Sequence, residues 1–261
     1  VSYVGTAYTF GIVPYVAQLY MWGQNQYGQL GQNDQNARSS PTQIPGTLWK
    51  TGSRGPHYTI ATRADGTLWA WGKGDPGASG EGGGLGQNNL TSYSSPVQIP
   101  GTTWSKANLT SYASFVTKTD GTLWSWGYNS QGLLGHNNGT SYSSPVQVGS
   151  DTTWSATGSI GLNNYSSVWG LKTDGTLWVW GRNSYGVAAQ NNTAWYSSPI
   201  QIPGTWNDVA GGGNFVLGSK TDGTLWGWGV DAYGNLAQNS TTPDTNGYLS
   251  PVQIGSDTTW N

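Results

Sequence analysis

One phrase recurs down the chain and limits what it can fold into. "TDGTLWSWGYNSQGLLG" spans residues 119–135, and close copies stand at "ADGTLWAWG" from Ala64, "TDGTLWVWG" from Thr173 and "TDGTLWGWG" from Thr221. The Trp-Gly pair falls at Trp22, Trp71, Trp126, Trp180 and Trp228, at intervals of 49, 55, 54 and 48 residues. A Ser-Pro pair follows at Pro41, Pro96, Pro145, Pro199 and Pro251, and then a lone tryptophan at Trp49, Trp104, Trp154, Trp206 and Trp260. The markers keep one order, which makes five repeats of about fifty residues. A period of this length signals supersecondary units that bury their apolar faces on one another. Passing from Trp228 over the chain end to Trp22 gives an interval of 55, inside the range of the others. That spacing predicts a ring closed between the N- and C-terminal segments, the last residues completing the unit that the first begin. A solenoid would instead need atypical caps.

Within a repeat the pattern reads as strand and turn. Asp65, Asp120, Asp174 and Asp222 each precede a Gly between two apolar runs, the strongest short hairpin signal. The run before each turn ("YTIATRA", "SVWGLKT") alternates as a half-buried strand does, and "LWSWG" is the next strand. Its two tryptophans, two residues apart, share one face. A Gly/Asn/Gln loop follows, then "SSPVQI" as a short strand with Pro at its first residue, where a missing N–H is tolerated. No segment shows helical periodicity over three turns. Four short strands per repeat predict an all-β chain, a β-propeller of five blades forming one domain over residues 1–261.

"DGTLWxWGxNxxGxLG" followed by "SSPxQI" resembles the regulator-of-chromosome-condensation repeat. The resemblance covers nearly the whole chain and implies a β-propeller, although that family typically has seven blades where five repeats occur here. The first repeat departs most, with Tyr15-Val16-Ala17-Gln18 in place of the Asp-Gly turn, while "LYMWG" keeps the strand. The Trp-rich, Lys-poor wording looks similar to repeats of bacterial surface proteins and phage genomes. The founding member's action on a small GTPase and on nucleosomes depends on a basic tail and particular loop residues, and is not carried over.

Composition narrows the function. Charged residues are 8 % and the net charge is −2, against about 25 % charged in ordinary soluble domains. The ten basic residues stand singly, whereas phosphate binding needs them clustered. No nucleic-acid partner is expected. No apolar run reaches the roughly 18–20 residues of a membrane helix, the N-terminal segment is too polar for a signal peptide, and no membrane insertion is expected. With no cysteine there is neither disulfide nor thiolate site; no metal and no cofactor is expected.

Catalytic constellations are sought in vain. His57 and His136 are the only histidines; His57 takes the place of Tyr112 or Asn214, and His136 that of Gln32 or Gln87. The acidic residues outside the repeated turns, Asp34, Asp75, Glu81, Asp208, Asp231 and Asp244, fall at no paired position of the kind a glycosidase needs. "GEGGGLG" at 80–86 lacks the strand-to-helix context of a phosphate loop and reads as an insertion. No catalytic residue is assigned and no enzyme is expected.

The aromatics carry the remaining signal. Trp69, Trp71, Trp124, Trp126, Trp178, Trp180, Trp226 and Trp228 are expected to fill the space between blades as core. Trp169 and Trp195 stand outside the markers. Trp195 lies in the loop "NNTAWYSSP", and with Tyr196 it could offer a stacking platform. Tyr93, Tyr142, Tyr196 and Tyr248 recur three residues before the Ser-Pro marker, with Arg38 in the first repeat. Two readings stay open for them: a lectin-like set of equivalent pockets, or a structural Tyr covering each blade. The expectation is a non-enzymatic binding or structural module of a virion (decoration, fibre or tail) or of an extracellular surface, recognising glycans or other virion or surface proteins. The alternatives are a purely architectural virion protein or a propeller glycosidase. The loop from Asn129 onward is expected to vary freely and to carry the function.

Overall fold

The structure, a computed structural model, describes residues 3–5, 8–13, 18–75, 82–160, 167–239 and 247–260. Every regular element among them is a strand, and the twenty strands form five four-stranded antiparallel sheets. The first sheet is β1 (Tyr3–Gly5), β2 (Tyr8–Val13), β3 (Gln18–Gly23) and β4 (Arg38–Gln43). The second is β5 (Trp49–Arg54), β6 (Tyr58–Arg63), β7 (Leu68–Gly72) and β8 (Tyr93–Ile99). The third is β9 (Trp104–Leu109), β10 (Ala113–Lys118), β11 (Leu123–Gly127) and β12 (Tyr142–Gln147). The fourth is β13 (Trp154–Ile160), β14 (Ser167–Lys172), β15 (Leu177–Gly181) and β16 (Tyr196–Ile202), and the fifth β17 (Trp206–Gly211), β18 (Phe215–Lys220), β19 (Leu225–Gly229) and β20 (Tyr248–Ile254). Strand order within each sheet follows chain order. These are the blades of a five-bladed β-propeller.

The repeat phrase explains this local structure. Asp65 turns the chain between β6 and β7: its Oδ1 accepts from the Thr67 N–H at 3.0 Å and the Thr67 hydroxyl at 2.7 Å. The same hydroxyl accepts the Trp69 indole N–H at 2.9 Å. Asp120–Thr122–Trp124, Asp174–Thr176–Trp178 and Asp222–Thr224–Trp226 repeat the relay. The hydroxyl bond foremost, and the N–H bond after it, hold all four carboxyls below the usual carboxylate range because both favour the charged form.

The Gly of each Trp-Gly pair makes a bulge. Register shifts there in all five sheets, and Gly127 has φ 112°, a conformation L-residues rarely adopt. A Cβ on Gly127 would stand 2.4 Å from the Tyr112 carbonyl oxygen. Pro sits differently from expectation. The fourth strand begins three residues earlier, at Tyr93, Tyr142, Tyr196 and Tyr248, so Pro96 and its counterparts lie inside the strand. Pro is tolerated there because the fourth strand is a sheet edge, with one row of unpaired N–H groups.

The chain forms two compact units: residues 1–129 with 141–152, and residues 130–140 with 153–261. In the first unit, Leu19, Met21, Leu30 and Ile44 of the first sheet pack on Trp49, Ala61 and Trp71 of the second. The second sheet in turn packs Ile60, Leu68 and Ile99 on Trp104, Val116 and Trp126 of the third. In the second unit Leu177, Val179 and Ile202 meet Trp206, Val216 and Trp228. Trp71, Trp126, Trp180 and Trp228 are buried to within 1 %. Each indole N–H reaches a loop carbonyl far back in the chain, on Gln29, Gly84, Leu133 and Val187 at 2.8–2.9 Å. Removing such a ring from water contributes a few kcal/mol by area, and the carbonyl bond fixes the sheet spacing. Their neighbours Trp69, Trp124, Trp178 and Trp226 are half-buried.

The loop after Trp-Gly is less free than its sequence suggests. Asn25, Asn129, Asn183 and Asp231 are buried to within 2 %. The side-chain oxygens of Asn25, Asn183 and Asp231 each accept, at 2.8 Å, the backbone N–H five residues on. That clamp seats an apolar plug (Leu30, Ala188 or Leu236) in the core. The loop expected to vary from Asn129 onward has buried anchors at Asn129 and Leu134, while the residues between and beyond them differ from repeat to repeat. Tyr15, Val16 and Ala17, which replace the Asp-Gly turn, lie outside the described residues, as do Val1 and Ser2, beside which the Trp260 segment was expected to pair. The first sheet takes four strands from residues 3–43. Trp260 lies outside any strand and donates its backbone N–H to Gly223 at 3.0 Å.

Candidate functional site

The repeated tyrosines stand one per sheet. Tyr93 pairs opposite Gly72, Tyr142 opposite Gly127, Tyr196 opposite Gly181 and Tyr248 opposite Gly229. A bare glycine leaves room that a cross-strand aromatic fills, and all four rings are half-buried against the cores. In the first sheet Arg38 stands opposite Gly23 and pairs with Asp34.

Trp195 is placed differently. Its ring is 53 % exposed in the loop between β15 and β16, and the Arg182 guanidinium carbon lies 6.0 Å from the ring centroid. Arg182 Nε donates to Ser184 Oγ at 2.7 Å, which orients the cation. The loop is pinned from below: Asn183 Nδ2 donates to the Asn192 carbonyl at 2.9 Å, and Asn192 bonds the Tyr196 hydroxyl at 3.0 Å. An accessible indole beside a guanidinium and neutral amides can stack on an apolar ring face and donate to oxygens at its edge. Trp169, by contrast, is 9 % exposed in β14 and belongs to the core.

A second feature escaped the sequence reading. Four of the ten basic residues occupy one repeated position, two residues before the turn aspartate: Arg63, Lys118, Lys172 and Lys220. Each lies between two indoles of its own sheet. Lys118 Nζ is 4.7 Å from the Trp104 centroid and 3.9 Å from that of Trp124, and the other three repeat this within 3.7–5.1 Å. The signal was the recurring "K-T-D-G", with "R-A-D-G" in the second repeat. Such contacts contribute about 0.5–2 kcal/mol each, so these cations serve the scaffold rather than an anion site. At the third sheet the stack floors a cleft of about 410 Å³, walled by Pro100 and Pro145 and rimmed by Gln87, Asn88 and Ser144.

The other candidates are absorbed by the fold. His57 lies edge-on to Tyr27 at 5.4 Å and tilted against Tyr112 at 6.0 Å. Burial foremost, with the Lys73 charge, holds its pKa below the usual histidine value, so it packs as a neutral ring. Asp34 is held by Arg38 and Asn25, and Asp231 clamps its loop. The glycine-rich insertion ends at Gly84, whose carbonyl accepts from Trp126 and Ser114; Gly80, Glu81 and Asp244 lie outside the described residues. Among the described residues no three His, Cys, Asp or Glu side chains are grouped as a metal site. No helix there is long and apolar enough to cross a membrane.

Comparison with known proteins points the same way as the geometry. The model of the regulator of chromosome condensation (RCC1) repeat matches residues 17–51 and 120–158. The ultraviolet-B receptor UVR8 of Arabidopsis thaliana is 26 % identical over 191 residues, covering 69 % of this chain and 41 % of the receptor. The X-linked retinitis pigmentosa GTPase regulator homolog of Caenorhabditis elegans is 42 % identical over 65 residues, 24 % of this chain and 5 % of that protein. The chain thus spans less than half the length of these relatives. Among solved structures, Prp20p from Saccharomyces cerevisiae, studied for its binding to Gsp1p and histones, has a TM-score of 0.76 at 17 % identity, over 96 % of this chain and 61 % of Prp20p. Human WBSCR16 has a TM-score of 0.72 at 17 % identity, over 97 % and 66 %. Four-stranded sheets, Trp-Gly bulges and marker order agree with these likenesses: the chain carries matches to the RCC1 repeat and shares the β-propeller fold of these neighbours.

Proposed function

We propose that the chain is a non-enzymatic binding module, displayed on a virion as a decoration, fibre or tail component or on an extracellular surface, and that it recognises glycans or polar protein surfaces through Trp195. The observation that carries this reading is the half-exposed Trp195 ring beside Arg182, on a loop whose base is clamped by Asn183. A chain with only 8 % charged residues supports it, since neutral amides and hydroxyls suit sugars better than phosphates. That Prp20p was studied for its binding properties to Gsp1p and histones supports a protein partner on the same fold.

Glycan-array screening followed by calorimetry tests the reading. The wild-type chain is expected to bind, and Trp195→Ala to weaken binding at least about tenfold, or about 1.4 kcal/mol. The variant's stability should stay within about 0.5 kcal/mol, as for an exposed side chain. Binding that ignores the substitution, or no binding to any glycan or surface protein, contradicts it.

A further inference from the structure

The cleft at the third sheet is held open by fixed walls. Every residue lining it belongs to the first unit, with the loop of the second sheet on one side and the stack of the third on the other. The two sides are tied together: the Asn88 backbone N–H donates to the Ser143 carbonyl at 2.8 Å. The Trp104 indole N–H donates to the Pro100 carbonyl at 3.1 Å, and the Trp124 indole N–H is spent on Thr122. Both tryptophans therefore offer the cleft only carbon surface. Gln87 is oriented by its bond from Nε2 to the Gln98 carbonyl at 3.1 Å, which leaves its Oε1 as an acceptor.

Lys118 sets this cleft apart from its counterparts. At the second sheet Gln32, Asn33, Pro45 and Pro96 stand where Gln87, Asn88, Pro100 and Pro145 stand here, but the cation is Arg63. The Arg63 guanidinium lies against the connecting glycine, Gly46, and Lys220 likewise lies against Gly204. Around Gly101, by contrast, the nearest atoms are those of Trp104. Lys118 lines the cleft instead, and among the described residues its ammonium makes no hydrogen bond or ion pair. An ammonium carries three donors, so an occupant of the cleft must bring acceptors to Lys118, a donor to Gln87 and apolar surface to the prolines. A lipid chain or a flat aromatic would bury donors unpaired, at about 1–3 kcal/mol each. A phosphate would meet a single cation, whose charge already acts on the Asp120 carboxylate. A pyranose meets every demand, because its C–H faces are apolar and each hydroxyl both donates and accepts. The volume of about 410 Å³ falls within the roughly 300–1,000 Å³ of small-molecule sites.

We propose that the cleft between Pro100 and Pro145 binds one neutral pyranose ring, as a free sugar or as the end of a glycan. The ring lays its C–H surface against Trp124 and the two prolines, accepts from Lys118 Nζ and donates to Gln87 Oε1. The ligand class rests on the glycan reading above, whereas the site shares no residue with the Trp195 loop.

The test is a titration of the full chain, followed in ¹H–¹⁵N spectra, with glucose, galactose and N-acetylglucosamine, each free and as its methyl glycoside. At least one sugar is expected to shift the Trp124 indole and Gln87 side-chain amide signals, saturating with a Kd of about 1–10 mM. Binding kept by the methyl glycoside marks the end of a glycan as the source, and binding of the free sugar alone marks a free sugar. Lys118→Met keeps a side chain that packs on the indoles but removes the donors, and should weaken binding at least about tenfold. Lys118→Arg copies the second sheet, keeps the scaffold cation and should weaken binding as much. Trp195→Ala should leave the Trp124 and Gln87 shifts unchanged. No saturable shift at these two residues with any of the sugars overturns the proposal; a response at Trp195 alone would then leave the Trp195 reading standing without it. Binding by Lys118→Met equal to that of the wild type overturns it as well, and so does an equal response to inorganic phosphate.

Discussion

Truncating Trp126 to alanine is expected to destabilise the chain by about 3–5 kcal/mol, the usual cost of deleting a fully buried large aromatic. Three losses coincide there. The ring is 0 % exposed, so its apolar area leaves a cavity among Ile60, Leu68 and Ile99 rather than a dent at the surface. Its edge-on partner Trp104, at 6.2 Å, loses a contact of about 0.5–1.5 kcal/mol. The Gly84 carbonyl loses the indole donor at 2.8 Å, although Ser114 still donates to it. Against a total stability of about 5–15 kcal/mol this is a large fraction, so the variant should unfold at much lower urea or not accumulate at all. Trp195→Ala, which removes an equally large ring from the surface, is the control. Urea unfolding that gave both variants similar midpoints would show that Trp126 is not core.

Asn183→Ala is the second large effect, and it couples fold to function. Its Oδ1 receives the Ala188 N–H at 2.8 Å, in a spot where Ala188 is 2 % exposed. Water cannot replace that acceptor, and one abandoned buried donor costs about 1–3 kcal/mol. The other lost bond, from Nδ2 to the Asn192 carbonyl, costs less, because Asn192 is exposed and its carbonyl can turn to water. What that bond does is tie down the loop bearing Trp195. The variant should therefore lose stability by about 1–3 kcal/mol and also show faster Trp195 motion by fluorescence anisotropy. Asn183→Asp separates the two: it keeps the acceptor, as Asp231 does for Leu236, but gives up the amide donor. It should retain most of the stability and still loosen the loop. Equal losses in the two variants would mean that Oδ1 is not the clamp.

How much of this was legible in the residues differs by element. The repeat order and the Asp-Gly turns led directly to four-stranded sheets, because hairpin geometry is local and one side chain settles it, as Asp65 does with Thr67. Pro96 misled by three positions, since nothing in "SYSSP" shows that an edge strand can run through a proline. The clamping role of Asn25, Asn183 and Asp231 was hidden for the same reason that most buried polar roles are. Asn, Gly and Gln read as loop, and only the fold shows that Asn183 is fully buried and paired twice. The cations at Arg63, Lys118, Lys172 and Lys220 were in plain view at one repeated position, but they matter only once two indoles close on each. Trp195 was singled out because it broke the repeat, and the fold leaves it exposed on a loop.

The tryptophans divide their labour: Trp71, Trp126, Trp180 and Trp228 join sheet to sheet, and Trp195 faces outward from its loop. Indole N–H hydrogen exchange, read residue by residue in a ¹H–¹⁵N spectrum of the full chain, tests that division. Trp71, Trp126, Trp180 and Trp228, each bonded to a carbonyl at 2.8–2.9 Å, should exchange only as the chain opens, orders of magnitude more slowly than Trp195. If these four exchanged as fast as Trp195, the joints between sheets would not exist as described.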